Sequence, residues 1–273
     1  RLPEEDIKQV HKELALALQT IYEREFEKLL KLTKSLTNCS YICLSGGCAY
    51  NGVANAKAYK YFSKVHIPFA PSDAGSAIGA CLDRHMRISP YLGPEYDNED
   101  VLPILQEYKH KLDHTVIPVE EYLNIKVAWE LKNSKIIAWF QGRMEFGARA
   151  LGNRSILANP LDALMRDRLN RVIKKREGFR PFAPSVVSTS AKKFFDIQEP
   201  IPYMNQVVKS KTNLFPSATH IDGTCRVQTV TKHQNEKFYN LLLRFKEMTK
   251  CPVLLNTSFN LKDQTITRTP RQA

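Results

Sequence analysis

The sequence predicts an α/β fold in two units, and three observations carry that expectation. Short apolar runs of strand length alternate with amphipathic or small-residue stretches of helix length along the whole chain. A segment dense in turn formers and acids, from Ser89-Pro90 through Gly93-Pro94 to Asp97 and Asp100, interrupts the alternation. The 273 residues, 43% hydrophobic and 25% charged, suffice for two medium cores, since domains usually run to roughly 100–200 residues. The expected units are residues 1–100 and 101–273, with the boundary on those turn signals.

The elements follow in order. Residues 4–32 read as a long amphipathic helix, with Ile7, Val10, Leu14, Leu18, Ile21, Leu29 and Leu30 on the inward face. Ser40-Tyr41-Ile42-Cys43-Leu44 reads as a buried strand, broken by Ser45-Gly46-Gly47 and followed by a helix over 51–62. A second strand, Val65-His66-Ile67, leads into a helix that starts near Asp73 and carries Gly75, Ala77, Gly79 and Ala80. Small residues there permit close backbone approach to a neighbour or a ligand. Past the boundary the alternation continues through 125–131 and 135–141, with Ile136–Phe140 a buried strand. A glycine- and arginine-rich turn over 142–155 precedes a helix starting at Asn159-Pro160, where an Asn cap, a first-position Pro and Asp162 are start signals. Leu161, Leu164, Leu169, Val172 and Ile173 should face inward from it, and later strands are read at Thr224–Val230 and Val253–Leu255.

Composition narrows the function classes. No run approaches the roughly 18 apolar residues of a membrane span, and the acidic start Glu4-Glu5-Asp6 is no signal peptide. The six cysteines show neither a paired metal spacing nor a disulfide framework, so reduced thiols and a cytoplasmic location are expected. The net charge of +12 would suit nucleic acid. Its distribution argues otherwise, because residues 126–180 hold thirteen Lys and Arg against five acids. That concentration points to a local anion site, and nucleic acid is not expected as a partner; nor is a membrane.

The densest motif is Gly142-Arg143-Met144-Glu145-Phe146-Gly147-Ala148-Arg149-Ala150-Leu151-Gly152-Asn153-Arg154-Ser155, after the apolar run. Glycines after a strand let backbone N–H groups approach a phosphate that arginine forks can clamp. The general nucleotide-loop spacings are absent. Further polar groups fall where elements end: Lys174 with Arg176, Arg226, Asn256 with Ser258, and His220 in a turn beside Arg226. Together they offer cations, hydroxyls and an amide for one polyanion. In the first unit Gly46, Gly47 and Asn51 form a turn before a helix, and Asp73 offers either a helix cap or a cation ligand. His110 and His114 share one face if helical but lie in a polar boundary segment.

Four motifs then align with one family: 142–155, Arg176-Glu177 with Phe179-Arg180-Pro181-Phe182-Ala183-Pro184, Thr219-His220 with Asp222-Gly223-Thr224 and Arg226-Val227-Gln228-Thr229-Val230, and Leu254–Asn260. In order and over nearly the whole chain, the sequence resembles the O-carbamoyltransferases of the nodulation-factor, cephamycin and tobramycin type. The resemblance implies the second lobe of an actin-like ATPase domain followed by a YrdC-like twisted α/β sheet domain. It implies carbamoyl phosphate and ATP as reactants, a carbamoyladenylate intermediate, and transfer to the hydroxyl of a small-molecule acceptor such as a sugar or natural product. By motif, Lys174, Arg149, Arg226, Asn256 and Ser258 would bind carbamoyl phosphate and the adenylate phosphates. Arg154, Arg176, His220, Gly46, Gly47 and Asn51 would contact nucleotide. Asp73 would be a ligand of a divalent metal, iron in that family, with Mg as an alternative, and two histidine ligands would belong to an N-terminal lobe ahead of residue 1. On that reading the chain is a fragment; the sequence does not fix the oligomeric state, and a homodimer stays open. Ala148 stands where the family usually has proline, and Gly178, Cys48 and Tyr50 also depart from its pattern; none removes a charge. The alternatives left open are a tRNA threonylcarbamoyl-modification enzyme and a non-catalytic nucleotide-binding module.

Overall fold

A computed structural model describes residues 6–84, 86, 88–111, 113 and 115–273. The first helix, α1 (Gln9–Thr37), starts later and runs further than predicted, closing on left-handed Asn38. Its predicted inward face is a correction: Val10, Leu14, Leu18, Ile21 and Leu29 are exposed, and Leu30 alone of that set is buried. The reason is that the helix packs its apolar side on the rest of the unit only near Phe26 and Leu30, which join Ala49, Ala58, Phe62, Val65 and Ile67, while Gln19 reaches Asn51 by a polar contact.

Strand β1 (Tyr41–Cys43) pairs in parallel with β2 (Lys64–His66), and between them lies α2 (Gly52–Ala56). Tyr41 and Cys43 are exposed, so β1 is not the buried strand its apolar run suggested. Next comes α3 (Asp73–Ala80), in which a Cβ on Gly75 would sit 2.0 Å from the carbonyl oxygen of Ala70, so only glycine fits. Helices α4 (Asn98–Glu107) and α5 (Glu120–Lys132) carry the chain into the second unit.

There β3 (Ile137–Phe140) and β4 (Arg154–Ala158) form a hairpin around the arginine turn. The chain continues through α6 (Met165–Arg168), β5 (Ala183–Val187), α7 (Ala191–Phe194), β6 (Val207–Lys209), β7 (Thr224–Arg226), β8 (Gln228–Val230), α8 (Glu236–Thr249) and β9 (Val253–Ser258). The main sheet has the order β3-β4-β9-β5-β8, antiparallel except for the parallel β5–β8 pair. Helices α5 and α8 bury Ala128, Leu131, Phe238, Leu241, Leu242 and Phe245 in the core with Leu157, Val187 and Leu254. The mixed α/β class is the one the alternation predicts.

Two expectations change. The helix predicted from Asn159-Pro160 is a turn there, with Asn159 Oδ1 accepting from Leu161 N at 3.0 Å, and the helix begins at Met165 and loosens into a π turn over Leu169–Ile173. Val172 is exposed while Leu169 is buried, because the inserted π residue breaks the 3.6-residue period, and Leu164 is exposed at the cap ahead of the helix. The run Thr224–Val230 is two strands, since β7 pairs with β6 and β8 with β5.

The units are joined by buried amides. Asn55 Nδ2 donates to Asn205 O and Asn205 Nδ2 donates to Ile67 O, both at 2.8 Å. Glu199 Oε2 accepts from Tyr59 OH at 3.1 Å and from Val65 N at 3.2 Å. Cys39, Cys43, Cys48, Cys81, Cys225 and Cys251 are free thiols. Among the described residues no helix is long and apolar enough to cross a membrane.

Candidate functional site

The arginine turn is held from inside by two buried charges. Glu145, almost fully buried, accepts from the backbone N–H of Leu151 and of Asn153 at 2.7 Å and of Arg154 at 3.2 Å, all through Oε1. Gly152 N donates to Ser155 Oγ at 3.1 Å. The N–H groups that a phosphate cradle would present therefore bond within the turn. Arg154 holds the carbonyl side: its guanidinium donates to Gln141, Gly142 and Asn153 oxygens at 2.7, 3.1 and 2.9 Å and to Pro94 O at 3.2 Å, and lies 3.6 Å over the Phe140 ring. Glycine is required at Gly152, whose φ is +109° and whose Cβ would fall 2.3 Å from the Phe238 ring.

What remains for an anion is the side chain of Arg149. Its guanidinium carbon lies 6.0 Å from the Tyr50 ring centroid, its Nε is buried with no hydrogen-bond partner, and burial lowers its pKa. Arg226, at the end of β7, donates to Met204 O at 2.9 Å and has its pKa pushed down to about 10 by burial and by the nearby charge of Arg149. A guanidinium whose charge is disfavoured by burial and by a second guanidinium nearby suits an anion. Gly52 backs Arg226 so tightly that a Cβ would lie 2.9 Å from Nη1. His220 joins from the turn before β7, its Nδ1 bonded to Thr224 Oγ1 at 3.0 Å; burial, and then the positive charge of Arg226, lower its pKa.

Lys174 and Ser258, 84 residues apart, form a second cluster. Nζ donates to Ser258 O at 2.6 Å, Ser258 Oγ at 3.3 Å, Asn260 O at 3.1 Å and Asn260 Oδ1 at 2.7 Å. No carboxylate is among these partners, and burial together with Arg176 pushes Lys174 down to about 8. Arg176 donates to Asn170 Oδ1 at 2.8 Å and lies over the Phe182 ring. Lys174, Arg176, Ser258 and Asn260 line a cavity of about 650 Å³.

Asn256 links the clusters. Strand alternation puts it on the same sheet face as Ser258 and Ser185, and its Nδ2 donates to Ala150 O at 3.3 Å, Ser185 Oγ at 3.1 Å and Gln228 Oε1 at 3.0 Å. Its Oδ1 is buried without a partner. Sequence reasoning missed Glu145, which looked like one more charge in a charged turn, and Asn260, whose signal was its place two residues after Ser258. Ser185 gave no signal, and Gln228 none beyond its place in the motif after Arg226.

In the first unit the Gly46-Gly47 turn is exposed, and a Cβ at either glycine would meet nothing. Asn51 uses its side chain locally, capping α2 at Ala54 N and bonding Gln19 of α1. Ser72 occupies the cap position of α3 and Asp73 its first turn, exposed, so Asp73 does not cap the helix. Among the described residues no three His, Cys, Asp or Glu side chains gather as a metal site. His110 lies in a turn beyond the end of α4, and His114 lies outside the described residues.

An α/β chain that holds four buried or half-buried cations, Arg226 at the end of β7 and Arg149, Lys174 and Arg176 in turns, has the makings of an anion-binding protein. Comparison makes the class specific. A model described as the carbamoyltransferase N-terminus matches residues 2–82, and one described as the carbamoyltransferase C-terminus matches 128–273. The nodulation protein NolO of Bradyrhizobium diazoefficiens is 37% identical over 92% of this chain and 49% of its own length. The nodulation protein NolNO of Sinorhizobium fredii is 38% identical over 92% of this chain and 39% of its own, and the 3'-hydroxymethylcephem-O-carbamoyltransferase of Amycolatopsis lactamdurans 32% over 92% and 49%. The chain belongs to the carbamoyltransferase family, and it spans about half the length of the curated relatives it matches.

Proposed function

We propose that this chain carries the adenylating site of an ATP-dependent O-carbamoyltransferase. The observation that carries the reading is the set of cations with no acid partner among the described residues, Arg149 with Arg226 and Lys174 beside Ser258, with Asn256, two residues before Ser258 on the same strand, bonded to Ala150 O. Carbamoyl phosphate loses its phosphate to water, and the carbamate oxygen so formed attacks the α-phosphorus of ATP, breaking the bond to pyrophosphate and giving carbamoyladenylate. The carbamoyl carbon then passes to a hydroxyl oxygen of a small acceptor, with AMP leaving. Fixed cations suit these steps, because phosphoryl chemistry depends mainly on positioning and neutralising charge. In this reading Arg149 and Arg226 hold one anionic group, Lys174 and Arg176 another, and Asn256 and Ser258 orient the carbamoyl end. Arg154 acts by fixing the turn that carries Arg149.

The second unit would be the YrdC-like domain and the first a lobe of the actin-like transfer domain, with the Gly46-Gly47 turn and Asn51 toward nucleotide. Asp73 would supply a single carboxylate toward a divalent metal such as iron, too few ligands for a site by itself.

The test is pyrophosphate release by the full-length protein from ATP and carbamoyl phosphate. Release that needs both substrates and falls at least a hundredfold in Arg149→Ala and Lys174→Ala supports the reading, since each removes a fixed charge on the transition state. No release, or release indifferent to both changes, overturns it.

A further inference from the structure

Three neighbouring strands each place one polar side chain on the same face of the main sheet: Asn256 on β9, Ser185 on β5 and Gln228 on β8. Register sets Ser185 opposite Gln228, and Asn256 opposite Ala183, two residues from Ser185 and so on the same side. None of the three is more than 2% exposed. Polar groups buried that deeply are costly unless they are bonded.

The direction of every bond in this row follows from two backbone carbonyls. Which end of a buried amide is its nitrogen is decided by its neighbours, and a carbonyl oxygen can only accept. Leu151 O takes Nε2 of Gln228 at 2.9 Å, which turns Oε1 of Gln228 toward Ser185 and Asn256. That oxygen accepts from Ser185 Oγ at 2.6 Å, so the hydroxyl has lone pairs but no proton left for Asn256. Asn256 therefore faces the row with Nδ2, which donates to Gln228 Oε1 at 3.0 Å, Ser185 Oγ at 3.1 Å and Ala150 O at 3.3 Å. Its Oδ1 is left over, buried and with no partner among the described residues. In a row otherwise satisfied, one buried acceptor without a donor marks where a ligand brings one. The cations stand close by in the chain: Ala150 follows Arg149, and Ser258, which bonds Lys174, lies two residues beyond Asn256 on β9.

We infer that Ser185 and Gln228 are positioning residues for carbamoyl specificity. They hold Asn256 with Oδ1 toward the ligand, where it accepts from the amino group that distinguishes a carbamoyl from an acetyl group of nearly the same shape. The inference rests on the carbamoyl phosphate binding of the proposed function. Neither residue touches the ligand; both act through the polarity of one amide. An acyl phosphate with a methyl in place of the amino group leaves the oxygen buried and unpaired, and is rejected for it.

The experiment measures binding of carbamoyl phosphate and of acetyl phosphate to the full-length protein by calorimetry, without ATP. Expected of the unsubstituted protein is a preference for carbamoyl phosphate of about a hundredfold, the scale of one buried hydrogen bond lost with its acceptor stranded. Ser185→Ala and Gln228→Met, which free the amide to turn, should each lower that preference by about tenfold while affinity for acetyl phosphate does not fall. Gln228→Glu keeps an acceptor toward Asn256 and should keep the preference, whatever its buried charge does to both phosphates. Equal affinity for the two phosphates in the unsubstituted protein overturns the inference, and that measurement needs no variant to fold. An equal loss for both phosphates in Ser185→Ala and Gln228→Met, the mark of a merely structural role, overturns it as well, with melting temperatures as the check on folding. Pyrophosphate release is read separately. Its absence from a protein that prefers carbamoyl phosphate strikes the adenylation reading and leaves this inference standing.

Discussion

Lys174 shows how much of the site is decided by a single side chain's surroundings. Its ammonium has four oxygen acceptors and no carboxylate, with Arg176 nearby, so its pKa falls to about 8. The sign of the consequence is definite. Below that value the lysine is charged and attracts an anion; above it the charge and the attraction fade. Affinity for carbamoyl phosphate should therefore weaken as pH rises through 8, and Lys174→Arg should flatten that profile, both read by titration calorimetry. The same shift opposes itself in stability: between about 8 and the ordinary lysine value the unfolded chain binds more protons, so the empty protein gains stability with rising pH there. Arg226, near 10, stays charged throughout the neutral range.

At the scale of an element, the turn between β3 and β4 gathers its own N–H and C=O groups onto Glu145 and Arg154, so its rigidity comes from side chains embedded in it. Removing Glu145 strands three buried N–H groups. Glu145→Ala should cost about 3 kcal/mol in denaturant unfolding, while Glu145→Gln, which keeps an acceptor oxygen, should cost about half of that. The turn also shows what was legible in the sequence. Its glycines and the strand before it could be read locally, because such signals lie within a few residues of what they control, whereas Asn159-Pro160, read as a helix start, makes only a turn at Leu161. The face of α1 could not, because period alone says which residues line up and nothing about what covers them. The π turn after Met165 escaped for a related reason, since one inserted residue leaves no mark on composition. The partners of Lys174 and Arg149 are set by pairing between strands and units far apart in the chain.

For the whole molecule, the decisive place is the seam where Tyr50 and Gly52 of the first unit meet Arg149 and Arg226 of the second. A Cβ at Gly52 would press on Arg226 Nη1 at 2.9 Å and on the backbone of Gln206 at 3.2 Å. Gly52→Ala should therefore weaken carbamoyl phosphate binding by about tenfold or more, the scale of a displaced charge-assisted contact, with the melting temperature reduced only modestly. Unaltered binding would mean that Arg226 does not reach the ligand. The buried Asn55–Asn205 link and Glu199, which accept or donate across the same seam, keep the two units in register while the cations stay apart.

That seam gives the pair of arginines a mechanical meaning as well as a chemical one. Arg149 and Arg226 both belong to the second unit, and Tyr50 and Gly52 of the first press on them from across the seam, so the first unit sets where the two guanidiniums stand. The joint between the units and the grip on an anion are therefore one property: whatever shifts Gly52 against Arg226 shifts both.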